Sequence, residues 1–205
     1  MFELSYIDHW RRCERCGAPF GAVQCSECNP VVMADLGMKK PPYTACVSVA
    51  NFDAASARLI TTYKDKNEQR LASALGSMMC EVIPPKWLEV NPDMQISFVP
   101  ASAKALRRRG FDHAELLARE VGWGLSLPVT SLFERPASKD QRSLTRHERI
   151  FNMEQRFRVL EKELPRSILL VDDVYTTGST LSFASKKLLE RGAKSVYCLT
   201  FARVW

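Results

Sequence analysis

The stretch ILLVDDVYTTGSTL, residues 168–181, decides the fold because it joins three kinds of sequence in a fixed order. Its first four residues are a continuous apolar run, which is typical of a strand buried on both faces of a parallel sheet. A short polar bend follows, and we predict a helix from Leu181 to Arg191. Gly192 stands just after that helix, where a left-handed residue commonly ends one. The stretch therefore predicts a strand, a loop and a helix.

The same alternation of apolar runs and helical patterns extends outward along the chain. We predict further strands at 46–52, 96–99 and 196–201, and helices at 71–83 and 114–125. Continuous apolar strands that alternate with amphipathic helices indicate an α/β fold. The predicted architecture is a mostly parallel sheet flanked by helices.

Two carboxylates and a hydroxyl-rich bend follow the predicted central strand. Asp172 and Asp173 directly precede the bend, and ligands of open α/β sheets bind beyond the carboxyl ends of strands. Adjacent carboxylates can accept hydrogen bonds from a cis-diol, or help to hold Mg²⁺. The bend consists of Thr176, Thr177, Gly178, Ser179 and Thr180. Its N–H groups and hydroxyls can bind a phosphate at the start of the following helix, which predicts a ribose 5-phosphate site. The alternative is a plain capped helix start with exposed aspartates.

Four of the seven cysteines cluster near the N-terminus with the spacing C-x2-C-x8-C-x2-C. They are Cys13, Cys16, Cys25 and Cys28. Two such pairs can supply the four thiolates of a structural Zn²⁺ site. We expect the metal to supply the folding energy of this segment, because it is too short for a core of its own. The alternatives are free thiols or two disulfides, which a reducing cytoplasm disfavours.

Composition limits the class of protein. The chain has 205 residues, of which 46% are hydrophobic and 25% charged, and its net charge is +6. This balance argues against wholesale disorder, and the positive charge suits an acidic or phosphorylated ligand. No apolar run is long enough to span a membrane and no signal-peptide core is present, so we expect a cytoplasmic protein. The sequence Lys39-Lys40-Pro41-Pro42 predicts a linker at 39–42 between a zinc segment at 1–38 and an α/β domain at 43–205.

Two segments concentrate positive charge. Lys104, Arg107, Arg108 and Arg109 precede Gly110 in a predicted turn, where they repel one another unless an anion or solvent intervenes. The turn is interpreted as a solvated surface, as a grip for pyrophosphate, or as a track for a nucleic-acid backbone. Residues 134–158 are also basic, and form either a solvated surface loop or a mobile loop that closes over an anionic ligand.

Several of these segments resemble known motifs. Residues 171–180, VDDVYTTGST, resemble the phosphoribosyl-pyrophosphate (PRPP) motif of type I phosphoribosyltransferases. Residues 100–118, PASAKALRRRGFDHAELLA, are similar to the arginine-rich signature of the ComF family of competence-associated proteins. Residues 141–152, QRSLTRHERIFN, and the four-cysteine segment resemble further parts of that family. Residues 59–65, LITTYKD, differ from the stretch that the family carries after its first strand.

The resemblance implies a phosphoribosyltransferase-like fold and a role in DNA uptake and natural transformation. It implies that Asp172 and Asp173, the catalytic pair, bind the ribose hydroxyls of PRPP together with Mg²⁺. The bend from Thr176 to Thr180 would hold the 5-phosphate, and the segment from Ala101 to Lys104 would form the pyrophosphate loop. Arg107, Arg108 and Arg109 are candidates for binding single-stranded DNA. A DNA-binding module or a nucleotide sensor without turnover stands beside the enzymatic hypothesis, and other DNA-uptake proteins are candidate partners.

Overall fold

The sheet of this protein consists of parallel strands with long apolar runs at its centre. The computed structural model describes residues 40–136, 157–160 and 163–204. Its strands are β1 (Ala45–Asn51), β2 (Gln95–Phe98), β3 (Ser167–Tyr175) and β4 (Ser195–Arg203). Within the described residues they form one four-stranded sheet in the order β1-β4-β3-β2, and every pairing is parallel. The strands β3 and β4 therefore lie inside the sheet, in agreement with their continuous apolar sequences.

Helices cover both faces of the sheet. The described helices are α1 (Ala54–Asp65), α2 (Leu71–Glu81), α3 (Pro85–Glu89), α4 (Ala103–Arg109), α5 (His113–Leu125) and α6 (Ser179–Glu190). Alternate residues of β3 enter two separate cores, because side chains alternate across a strand. Leu169 and Val171 pack with α1, α2 and α5, whereas Ile168 and Leu170 pack with α6. The predicted α/β class and the parallel sheet are confirmed.

Two elements differ from the sequence-based expectation. The central strand continues to Tyr175, so Asp172 and Asp173 lie within β3 and not beyond it. The arginine-rich segment is the helix α4, and the prediction of a turn there was wrong. The Ser102 side chain caps the start of α4, and Gly110 ends it with a φ of 80°. A small capping residue and a left-handed glycine are the usual boundaries of a helix.

Some predictions fall outside the described residues. The zinc segment at 1–38 with Cys13, Cys16, Cys25 and Cys28 lies there, as does most of the basic segment at 134–158. The division into a zinc segment, a linker and an α/β domain stays a prediction. None of the helices in the described part of the chain has the length and apolar character that crossing a bilayer requires.

Candidate functional site

A cavity of about 230 Å³ opens at the carboxyl end of β3. Four residues that the sequence proposed for one site line it together: Ala101, Asp172, Asp173 and Thr180. Thr176, Thr177, Gly178 and Ser179 stand next to Thr180 in the same bend but do not line this cavity. Lys104 is exposed on α4 and also lies outside it. The structure thus brings the two carboxylates, one end of the bend and the loop after β2 to one place.

Asp173 contacts two basic side chains that sequence reasoning missed. The Lys64 ammonium, at the end of α1, lies 2.6 Å from Asp173 Oδ2. The Nε2 atom of His113, the first residue of α5, lies 3.6 Å from Asp173 Oδ1. Burial alone would raise the pKa of Asp173, but the His113 imidazole and the positive charge of Lys64 outweigh it and hold that pKa well below its usual range.

The pKa of Asp172 is shifted in the opposite direction. Its carboxyl group is buried, and its Oδ1 accepts the backbone N–H of Asp173 at 2.9 Å. Burial and the negative charge of Asp173 raise the pKa of Asp172 well above its usual range. Adjacent carboxyl groups in one cavity therefore have pKa values shifted in opposite directions, which is a frequent property of functional sites.

The bend after β3 caps the following helix only weakly, because Thr177 Oγ1 lies as far as 3.4 Å from the Ser179 N–H. The N-cap residue of α6 is Gly178, which has a φ of 76° and makes no side-chain cap hydrogen bond. The hydroxyls of Thr177 and Ser179 lie 2.7 Å apart and are exposed. A Cβ atom at Gly178 would clash with the Tyr175 hydroxyl, so glycine is needed for the close approach as well as for the left-handed backbone. Gly178 therefore keeps the bend close to the end of β3.

Asp112 fixes the loop between β2 and α4. Its Oδ2 accepts the Ala101 backbone N–H at 2.8 Å and also pairs with the Arg135 guanidinium. Arg135 Nη1 in turn donates to the Ala101 carbonyl at 3.0 Å. The other oxygen of Asp112 accepts from the Ala114 N–H at the start of α5. Asp112 thus joins the predicted pyrophosphate loop to α5. An aspartate three residues before a glutamate is an N-cap signal, so the sequence pattern Asp112 to Glu115 could have predicted the start of α5.

The three arginines of α4 differ in their exposure and in their contacts. Arg109 lines the cavity, and its side chain is only 13% exposed. Arg108 and Arg109 both contact Asp65 at 3.2 Å, so a carboxylate of the chain relieves the repulsion that the sequence predicted. Arg107 is exposed on the same helix and lines neither this cavity nor the neighbouring one beside Asp65.

A possible set of metal ligands lies in the cavity. One ligand atom each from His113, Asp172 and Asp173 falls within 4.8 Å of the others. Carboxylate oxygens and ligand phosphates suit Mg²⁺. Because Lys64 already neutralises Asp173, Asp172 is the carboxylate in this group that is open to a cation.

Comparison with known proteins identifies the family. No family model matches the chain. The DNA utilization protein YhgH of Escherichia coli O157:H7 is 31% identical over an alignment of 212 positions, which covers 94% of this chain and 91% of the relative. This chain belongs to the ComF family. The competence protein ComFC of Streptococcus pneumoniae is 25% identical over 191 residues, which cover 93% of this chain and 80% of the relative. The competence protein F of Haemophilus influenzae is 26% identical, over 93% of this chain and 84% of the relative.

Membership of the ComF family confirms the resemblance seen in the sequence. Lys64 falls within residues 59–65, the stretch that differed from the ComF pattern, and was not predicted as a site residue. Helical spacing could have found it, because Ile60 and Tyr63 are buried on the same turns of α1. A residue four positions after Ile60 borders that buried face.

Proposed function

We propose that this ComF-family protein binds PRPP with Mg²⁺ in the cavity at the end of β3 and acts in DNA uptake. The observation that carries the proposal is the convergence of Asp172, Asp173, Thr180 and Ala101 on one cavity. Each of them comes from a segment with an expected role toward one part of a phosphoribosyl ligand. The cavity adds the positive charge of Arg109, which suits a polyanion.

The ribose hydroxyls would bind the carboxyl pair. An ionised carboxylate offers about four lone-pair sites, so the contacts of Asp173 with Lys64 and His113 leave it able to accept from a hydroxyl. The carboxyl oxygens of Asp172 can accept from the neighbouring hydroxyl. A diol needs acceptors on two adjacent groups, and the two side chains provide them.

The 5-phosphate would bind at the bend. The N-cap residue of α6 is Gly178, which has no side chain that could cap the first N–H groups of the helix. The positive end of the helix dipole favours an anion there. The exposed hydroxyls of Thr177 and Ser179 add donors. The alternative of a helix capped by one of these hydroxyls is less well supported, because Thr177 Oγ1 lies 3.4 Å from the Ser179 N–H.

Mg²⁺ would be held by Asp172 and by phosphate oxygens of the ligand. When bound, the ion would neutralise charge on the pyrophosphate group. The chain itself contributes Arg109, which lines the cavity and can stabilise the same charge. The reaction class that this arrangement supports is transfer of the phosphoribosyl group to an acceptor nucleophile with loss of pyrophosphate. A nucleotide sensor would bind its ligand at the same site without transferring a group to an acceptor. Only the enzyme would release pyrophosphate, so a measurement of pyrophosphate release distinguishes the two functions.

The role in DNA uptake is inferred from the names of the relatives, which concern DNA utilization and competence. Direct binding of single-stranded DNA is the second candidate function, and the exposed side chains of Arg107 and Arg108 favour it. We further propose a cytoplasmic location and a structural Zn²⁺ held by the four N-terminal cysteines, by their spacing.

Calorimetric titration with PRPP and Mg²⁺ tests the proposal. We expect binding that requires Mg²⁺ and that the double variant Asp172→Asn/Asp173→Asn abolishes. Asp93→Asn is the control, because Asp93 is exposed just before β2 and does not line the cavity. Equal affinity of the double variant and the control would refute the site.

A separate titration with a single-stranded oligonucleotide tests the second candidate. If Arg107 and Arg108 bind backbone phosphates, replacing them by glutamine lowers the salt slope of log K by about 0.7 for each phosphate that is no longer neutralised. An oligonucleotide that binds with an unchanged salt slope rules out these two arginines as its binding residues.

A further inference from the structure

A second cavity of about 220 Å³ lies beside the first, between the end of α1 and the end of α4. It is lined by Lys64, Asp65, Asn67, Arg108 and Arg109. Lys64 and Arg109 also line the first cavity, so the two cavities share a wall. A ligand bound in the first cavity could therefore extend an anionic group into the second.

The second cavity already contains an anion supplied by the chain itself. Asp65 Oδ1 accepts from Arg108 Nη2, Arg109 Nε and Arg109 Nη2, each at 3.2 Å. Two guanidinium groups thus converge on a single carboxylate oxygen. A phosphate group offers three oxygens to the same donors and can satisfy them separately, which is the geometry that arginine recognises best.

The contact with Asp65 is weak enough to be replaced. Asp65 is 47% exposed and Arg108 is 66% exposed, so solvent screens much of their attraction. Two positive guanidinium groups face one negative carboxylate, which leaves an excess positive charge at the cavity. A phosphate group carries more negative charge than a carboxylate and therefore competes well for this place.

We propose that the second cavity is an anion subsite for a phosphate or diphosphate group, and that the Asp65 carboxylate fills it until the ligand anion replaces it. The proposal rests on the proposed function only for the identity of the rest of the ligand. A small phosphorylated ligand is favoured over nucleic acid because Arg109, at 13% exposure, lies between the two cavities and not on an open surface.

The test is a calorimetric titration with inorganic pyrophosphate. Asp65→Asn removes the competing charge, and we expect it to tighten pyrophosphate binding about fivefold, which corresponds to about 1 kcal/mol. Glu68→Gln is the matched control. It removes the same negative charge three residues further along the chain, from a carboxylate that pairs with Arg70 and does not line the cavity. We expect less than a twofold change for the control. Arg108→Gln, at an exposed position, should weaken binding about tenfold without loss of folding.

Three outcomes overturn the subsite. The first is an Asp65→Asn variant that binds pyrophosphate no better than Glu68→Gln does. The second is an Asp65→Asn variant that gains affinity for a single-stranded oligonucleotide but not for pyrophosphate. The third is PRPP binding that requires Asp173 but is unchanged by Asp65→Asn and Arg108→Gln, which would leave the proposed function standing. Conversely, tighter pyrophosphate binding by Asp65→Asn in a protein that does not bind PRPP supports the subsite and refutes the proposed function.

Discussion

Asp172 and Asp173 are neighbours in one strand, yet we expect their asparagine variants to change stability in opposite directions. Asp172→Asn should stabilise the protein at pH 7, and Asp173→Asn should destabilise it. The reason is that Asp173 has the Lys64 ammonium at 2.6 Å, whereas burial and the charge of Asp173 disfavour an ionised Asp172. Asparagine at position 172 keeps an Oδ1 atom for the bond from the N–H of residue 173.

The magnitudes follow from the geometry. Two unit charges about 5 Å apart repel by roughly 3 kcal/mol at an effective dielectric constant of about 20. The raised pKa of Asp172 and the charge of Lys64 relieve most of this repulsion, so we expect Asp172→Asn to gain about 1 kcal/mol. Breaking a buried ion pair costs about 3–5 kcal/mol. Lys64 is 20% exposed and can partly rehydrate, so we expect Asp173→Asn to lose about 2 kcal/mol.

Thermal unfolding measures both effects. For a chain of this size, about 1 kcal/mol shifts Tm by roughly 2–4 °C. Asp172→Asn should therefore raise Tm by about 2–4 °C and Asp173→Asn lower it by about 4–8 °C, with Asp93→Asn as the neutral control. Because the folded-state pKa of Asp172 is raised, its penalty is absent below the unfolded pKa of about 3.9 and grows as the pH rises above that value.

The pKa of Asp173 is lowered instead, so its stabilising effect is present above about pH 3.9 and is lost as the pH falls toward the folded-state pKa. Both variants should therefore differ from the unmodified protein at pH 7. Near pH 3.5 the Asp172→Asn variant should approach the unmodified protein, whereas the Asp173→Asn variant should still be less stable than it. If both substitutions lower Tm equally at pH 7, the asymmetric electrostatics of this pair is wrong.

Three other predictions concern the bend after β3, the loop after β2 and the N-terminal cysteines. Gly178→Ala should lower the free energy of unfolding, measured in urea, by more than about 2 kcal/mol, because the added Cβ would clash with Tyr175. The control Gly192→Ala also has a positive φ, of 112°, but its added Cβ meets no atom within 4 Å, so it should cost only about 1–2 kcal/mol. Equal losses would contradict the steric argument. Asp112→Ala should cost about 2–4 kcal/mol, because it leaves the Ala101 N–H without its acceptor and removes the carboxylate that pairs with Arg135. By the same assay Ser102→Ala, which removes one cap bond, should cost about 1 kcal/mol. Cys13→Ser should reduce the zinc content measured by atomic absorption, and an unmodified chain without zinc would rule out the metal site.

Patterns that are local in the sequence predicted most of the fold. Apolar runs marked all four described strands, and helical spacing marked α2, α5 and α6. The helix α1 was not predicted, because its buried face consists of Ser56, Ile60 and Tyr63 and has few strongly apolar residues. A reciprocal capping box between Asp53 and Ser56 helps to define its start. Serine in place of glutamate makes that signal hard to recognise in a sequence.

The partners of the site residues could not be predicted for a different reason. The sequence placed Asp172 and Asp173 after a strand, because they follow the apolar run and directly precede the polar bend. The structure buries both because Lys64 and His113, which lie far away in the sequence, reach the same point. Local patterns can place a lysine beside the buried face of a helix, but they do not show which carboxylate it contacts. The same holds for Asp65, whose pairing with α4 depends on how the ends of two helices meet.

The position of the buried charges supports a function at one end of the sheet. Among the described residues, the acidic and basic side chains that are buried are Asp112, His113, Asp172, Asp173 and Arg203. Arg203 lies opposite Tyr175 in the pairing of β4 with β3, at the carboxyl end of both strands. In the described part of the chain, the opposite end of the same strands buries only neutral groups, such as the hydrogen-bonded Ser167. Neutral groups are sufficient to complete a fold, whereas buried charges weaken it unless they are paired. Their concentration beside the bend after β3 therefore supports the proposed ligand site.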